Sequence, residues 1–167
     1  MNEENRNEFK IDFNWLPREK GSQFDKATFA EITLEIGGNI ASEVHDSFSK
    51  TTRKAFRASA FDLACWFACN WWRLRCEPLG EADADWKMSH QLCGIGNGYV
   101  WPNITLYCDG HSMNVRSLKS HGHKIEPIRF LSDFLAGVSV KTFENEIDNF
   151  IFSVIDRMNQ QGLNSSS

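Results

Sequence analysis

The run from Ala60 to Cys76 constrains the fold more than any other part of the chain. Phe61, Ala64, Cys65, Ala68, Cys69, Trp72 and Cys76 recur at helical spacing and form one apolar stripe. Leu63, Phe67, Trp71 and Leu74 cover much of another side. A helix that is apolar on nearly all sides belongs in an interior, so the pattern predicts a buried central helix over about 60–76. Ser59 and Asp62 resemble a capping box with Asp in place of Glu. Pro78 stands just beyond the expected end. Asp62, Trp66, Asn70, Arg73 and Glu77 share the one narrow polar face. A buried arginine is costly unless paired, so the plain reading of this face is an internal ion-pair network. The functional reading is a pocket for a ligand or partner lined by Trp66 and Arg73, residue types favoured as binding anchors.

Elsewhere the apolar period changes to two. Residues 1–9 read as a frayed polar end. Ile11, Phe13 and Trp15 then alternate with polar residues as a short strand, which Pro17 ends. Ile32, Leu34 and Ile36 alternate with Glu31, Thr33 and Glu35, a strand with one buried face. Gly37-Gly38-Asn39 suits a turn, and Ile40, Val44 and Phe48 read as the return strand. Residues 49–57, with Lys50, Arg53, Lys54 and Arg57, read as a solvated basic connection. Residues 86–93 read as a short helix, and Gly94-Ile95-Gly96-Asn97-Gly98 as a tight turn, since extended chain follows where a phosphate loop would need a helix.

Asp109-Gly110 between alternating runs signals a hairpin. A two-residue turn there pairs Cys108 with His111, Leu106 with Met113 and Ile104 with Val115. Ile125 to Leu131 reads as an edge strand because of Pro127. Thr142 caps a last helix with Phe143, Ile147, Phe150, Ile151, Val154 and Met158 on one face, and Gly162 stops it.

These elements predict an α+β fold. Antiparallel sheet built from hairpins packs against the central helix (about 60–76) and a C-terminal amphipathic helix (about 142–160). Residues 1–27 form an N-terminal extension with the short strand, 28–162 one globular domain, and 163–167 a flexible tail. At 167 residues and 41% hydrophobic composition the chain can bury a full core without metal or disulfide support.

The net charge of −4 disfavours direct nucleic-acid binding through a strongly basic surface. No apolar run reaches the length of a membrane span. The polar, acidic start is unlike a secretory signal. Together with five cysteines, this points to free thiols and a cytoplasmic location.

Among chemical motifs, His90-x2-Cys93 and Cys108-x2-His111 have the residue types of a zinc site. The Asp-Gly turn already explains the second spacing, and free cysteines are commonly buried for packing. His121-Gly122-His123 reads as exposed loop. Cys65, Cys69 and Cys76, on the apolar stripe, read as packing residues rather than nucleophiles, because burial raises a thiol pKa.

Two blocks carry a resemblance. They are Arg57-Ala58-Ser59-Ala60-Phe61 through Asn70-Trp71-Trp72-Arg73-Leu74-Arg75, and Trp86-Lys87-Met88-Ser89-His90 through Gly98-Tyr99-Val100-Trp101-Pro102-Asn103. With Pro127-Ile128-Arg129-Phe130-Leu131 and the terminal helix, they resemble the N-terminal region of certain bacterial proteins that carry an ImmA/IrrE-type zinc metallopeptidase domain downstream. The peptidase motif H-E-x-x-H is absent, so no catalytic residue is carried over. The resemblance implies an accessory module for sensing, docking or regulation, linked to stress control or mobile-element conflict in a bacterium.

The leading expectation is therefore a non-catalytic regulatory module that recognises a protein or small ligand through Trp66, Arg73, His90, Asn97, Tyr99 and Trp101. One alternative is a small zinc-dependent hydrolase using His90, Cys93, Cys108 and His111. Another is an inhibitor that occludes a nucleic-acid-binding machine.

Overall fold

Strands β1 (Phe9–Trp15) and β2 (Phe29–Ile36) pair antiparallel along their whole length, from Phe9 opposite Ile36 to Trp15 opposite Ala30. The computed structural model describes residues 8–17, 28–76, 86–87, 102–108, 112–119 and 128–162. The expected alternation holds: Ala30, Ile32, Leu34 and Ile36 face the core. Phe9 extends the first strand inward and is buried, so the expected fraying does not reach it. The N-terminal strand is thus built into the core of the domain.

Gly37 and Gly38 take left-handed φ values of 57° and 79°, which a tight hairpin requires and glycine supplies without strain. The return strand is shorter than expected. β3 is only Asn39–Ile40, after which the chain leaves β2 and forms a second hairpin of β4 (Val44–Asp46) and β5 (Thr51–Arg53). β6 (Phe56–Ser59) then returns to β2, from Phe29 opposite Ser59 to Ile32 opposite Phe56. The basic stretch 49–57 is therefore largely strand, with Arg57 paired to Glu31 at 2.8 Å on the solvent face of the sheet. Arg53 and Arg57 stand on strands, whereas Lys50 and Lys54 lie exposed in the turn and bend that join them, as a solvated connection would place them.

β3 and β6 share one edge of β2 and leave a gap at Leu34. The gap is closed locally. The Leu34 amide donates to Ser42 Oγ at 2.9 Å, the Leu34 carbonyl accepts from the Ala41 amide at 2.8 Å, and Ser42 Oγ donates to the Lys54 carbonyl. Both backbone polar groups of Leu34 thereby find partners, as buried backbone requires.

Helix α1 (Ala60–Cys76) starts where expected, with Ser59 Oγ accepting the Asp62 amide at 3.2 Å. Its buried face differs from the expected one. Leu63, Ala64, Trp66, Phe67 and Asn70 are buried, whereas Cys65, Ala68 and Cys69 are exposed. Two apolar stripes compete on this helix. Burial gain scales with apolar area, so the bulky Leu63, Trp66 and Phe67 turn inward and the small Cys and Ala residues outward. Asn70 enters the core because its Nδ2 donates to the Trp66 carbonyl at 2.8 Å.

β7 (Trp86–Lys87) pairs with β8 (Asn103–Cys108) at Leu106 and Thr105. The helix expected over 86–93 thus begins as strand, since the ladder supplies the partner a short isolated helix lacks; residues 88–93 lie outside the described set. β8 pairs with β9 (Ser112–Leu118) in a register two residues from the expected one. Cys108 faces Met113, Leu106 faces Val115 and Ile104 faces Ser117. A slip of two keeps every side chain on its own face, so hydrophobic pattern alone cannot distinguish the two registers.

β10 (Ile128–Phe130) pairs with β4 and is an edge strand, as expected. β11 (Phe134–Ser139), which the sequence pattern did not reveal, pairs with β9 from Phe134 opposite Ser117 to Ser139 opposite Ser112. A Cβ on Gly137 would come within 2.8 Å of Oδ1 of its cross-strand partner Asn114, so a larger residue there would require the Asn114 side chain to shift.

Helix α2 (Val140–Gln160) follows β11 directly. Ser139, not Thr142, is its N-cap, accepting the Thr142 amide at 3.1 Å. The capping hydroxyl simply lies one turn earlier. Phe143, Ile147, Phe150, Val154 and Met158 are buried as expected, Ile151 only partly, and Gly162 ends the helix at φ 68°.

The architecture is α+β, with antiparallel sheets and the C-terminal helix packed on strand. α2 runs alongside β1: Phe143 stacks on Phe9 at 4.7 Å, Phe150 meets Phe13 at 5.3 Å, and Arg157 lies over Trp15 at 5.3 Å. Phe67 of α1 joins them, edge-on to Phe9, Phe143 and Phe150. Such ring pairs stabilise beyond their buried area.

Candidate functional site

The β4–β5 hairpin is a finger with a firm base. Val44 is buried at its root, and the neighbouring Phe130 of β10 is buried edge-on against Phe56 at 5.7 Å. The tip is ordered by its own polar residues. Asp46 Oδ1 accepts the Phe48 amide at 2.9 Å and the Ser49 amide at 3.4 Å. The Ser49 and Thr51 hydroxyls bond at 2.7 Å, and His45 Nδ1 meets Thr52 Oγ1 at 3.2 Å across the strands. Lys50 takes the left-handed φ of 53° that closes the turn. The Ser49 side chain and the Phe48 amide hold the Asp46 carboxyl below its ordinary range.

This tip presents Phe48, which is 84% exposed and is the most exposed large apolar side chain among the described residues. Sequence reasoning placed it on a return strand, where it would have packed. The missed signal was the surrounding Asp46-Ser47 and Ser49-Lys50-Thr51, whose side chains favour turns by bonding to nearby backbone. Chemically the finger offers an exposed aromatic ring, with exposed Lys50 two residues on, on backbone held by local hydrogen bonds.

The residues expected to bind are not gathered by the described structure. Trp66 is buried at 3% exposure against Phe67, and its indole Nε1 has no hydrogen-bond partner among the described residues. Arg73 lies on α1, but its side chain falls outside the described set. His90, Asn97, Tyr99 and Trp101 lie outside it too, as do Cys93 and His111 of the expected zinc site. Cys108 is buried and faces Met113 rather than His111, which removes the register argument for that site. Among the described residues no three of His, Cys, Asp or Glu converge as a metal-holding group.

Cys65 and Cys69 are free thiols on the exposed side of α1. Partial burial pushes the Cys65 thiol up, the Asp62 carboxylate adds to this, and Cys69 contributes further. Its nucleophilic thiolate is correspondingly scarce at neutral pH. Among the described residues no helix is long and apolar enough to cross a membrane. No family model, curated protein or solved structure matches the chain.

Proposed function

We propose that this chain is a non-catalytic binding module that recognises a protein partner by inserting Phe48 into an apolar pocket. The observation that carries the reading is the pairing of a largely exposed Phe48 with local order at the hairpin tip. Exposing an aromatic ring forfeits the burial gain that the other phenylalanines of the core collect. Pre-ordering its backbone lowers the entropy lost on binding. Aromatic side chains on such pre-ordered backbone are effective interface anchors. Lys50, two residues on and exposed, suits a pocket with an acidic rim.

The wider setting, a regulatory protein of the bacterial cytoplasm acting in stress control or mobile-element conflict, rests on the sequence resemblance.

The test is affinity capture from extract of the source cell with wild type and Phe48→Ser side by side. Substituting an exposed ring leaves the fold intact, which circular dichroism verifies. A partner retained by wild type and lost by Phe48→Ser supports the reading. Identical retention by both proteins overturns it.

A further inference from the structure

Cys65 and Cys69 stand one helical turn apart on the outward face of α1, with the small Ala68 beside them. Residues at this spacing have Cβ atoms about 5–6 Å apart, so two thiol sulfurs can converge on one atom between them. Neither is sequestered in the core, unlike Cys108. The inward turn of Leu63, Trp66 and Phe67 is what leaves this pair accessible.

We propose that Cys65 and Cys69 form a two-coordinate thiolate site for a soft monovalent cation of the Cu(I) type. Ligand type and ligand number select the ion. Thiolates favour soft metals. A structural zinc needs four ligands, and the described residues gather no third His, Cys, Asp or Glu here. A linear ion needs only two. Binding replaces two thiol protons by two sulfur–copper bonds, with no change in oxidation state when the metal arrives as Cu(I). Uptake therefore strengthens as pH rises, because protons are released.

The experiment titrates the reduced full chain with Cu(I) in the absence of oxygen, against a competing Cu(I) chelator. Wild type, Cys65→Ser, Cys69→Ser and the double variant are compared, with Cys108→Ser as control. The expected result is one Cu(I) retained per chain by wild type and Cys108→Ser, and its loss in each of the other three. X-ray absorption of the wild-type complex should show two sulfur neighbours. Retention unchanged in the double variant overturns the site. So does surrender of all the metal by wild type to the chelator, which would mark an adventitious ion only. Both serine substitutions are at exposed positions, and a circular dichroism spectrum matching wild type keeps a folding defect from imitating loss of metal.

Discussion

The amide of Ile11 donates to Glu146 Oε1 at 2.7 Å, tying the first strand to the last helix across most of the chain. β1 is the outer strand of its sheet, and an open edge invites pairing with foreign strands. Here a carboxylate occupies one of the outward amides, while α2 packs alongside. Glu146→Ala should leave that part-buried donor unsatisfied and cost about 1–3 kcal/mol. Glu146→Gln, which keeps an acceptor, should cost less. Urea denaturation of the three proteins gives the comparison, and the Ile11 amide should exchange faster only in the alanine variant.

Ser42 predicts a similar loss by a different route. Its hydroxyl is fully buried and satisfies the Leu34 amide where the ladder on β2 is broken. Ser42→Ala is small enough to fit, so the expected cost of about 1–3 kcal/mol comes from the orphaned amide and the Lys54 carbonyl. Ser42→Thr should restore part of it if the hydroxyl is the cause. Thermal melts of the pair decide.

Two phenylalanines should respond in opposite ways. Phe48→Ala removes an exposed ring and should change stability by no more than about 0.5 kcal/mol. Phe143→Ala removes a ring that is 0% exposed and stacked on Phe9, and should cost about 3–5 kcal/mol. A large loss from Phe48→Ala would mean that the ring packs in solution.

Acid should loosen the β4–β5 hairpin tip. The Asp46 carboxyl lies below its ordinary value of 3.8 because its ionised form accepts the Ser49 and Phe48 donors. A depressed folded-state value means that the turn is supported above the unfolded value and loses that support as pH falls through the folded one. The expected window therefore lies below pH 3.8. Amide chemical shifts of Phe48 and Ser49 should titrate there, and Asp46→Asn should abolish the titration.

Cys65 should alkylate slowly at neutral pH and accelerate only above the ordinary thiol range, since its folded value is raised. Asp62→Asn removes one cause and should move the profile toward lower pH. Mass-resolved iodoacetamide labelling against pH checks both expectations.

Much of the fold was legible because strict periodicity leaves few alternatives. The alternation in β2 and the stripe from Phe143 to Met158 each allow one buried face. Legibility failed where two answers satisfy the same pattern. α1 carries two apolar stripes, and only packing against Phe9 and Phe143 selects the one with Phe67. The β8–β9 register slips by two without moving a side chain across the sheet. β11 escaped because Ala136 and Gly137 blur its alternation. Phe48 was misread because apolar identity suggests burial, whereas the turn-forming residues around it decide its position. The candidate surface was read from residue type on the polar side of α1, but Trp66 is pulled inward by its bulk.

The alliance of β1 with α2 also sets an order of events in the making of the protein. β1 leaves the ribosome before its cover, which comes from a segment translated more than a hundred residues later. Until then the nascent strand carries an unguarded edge beside the exposed rings of Phe9 and Phe13, the kind of surface that aggregates. The native core cannot close before the helix Val140–Gln160 has been made. Nascent chains halted before residue 140 should therefore engage chaperones, and chains that include Gln160 should let them go.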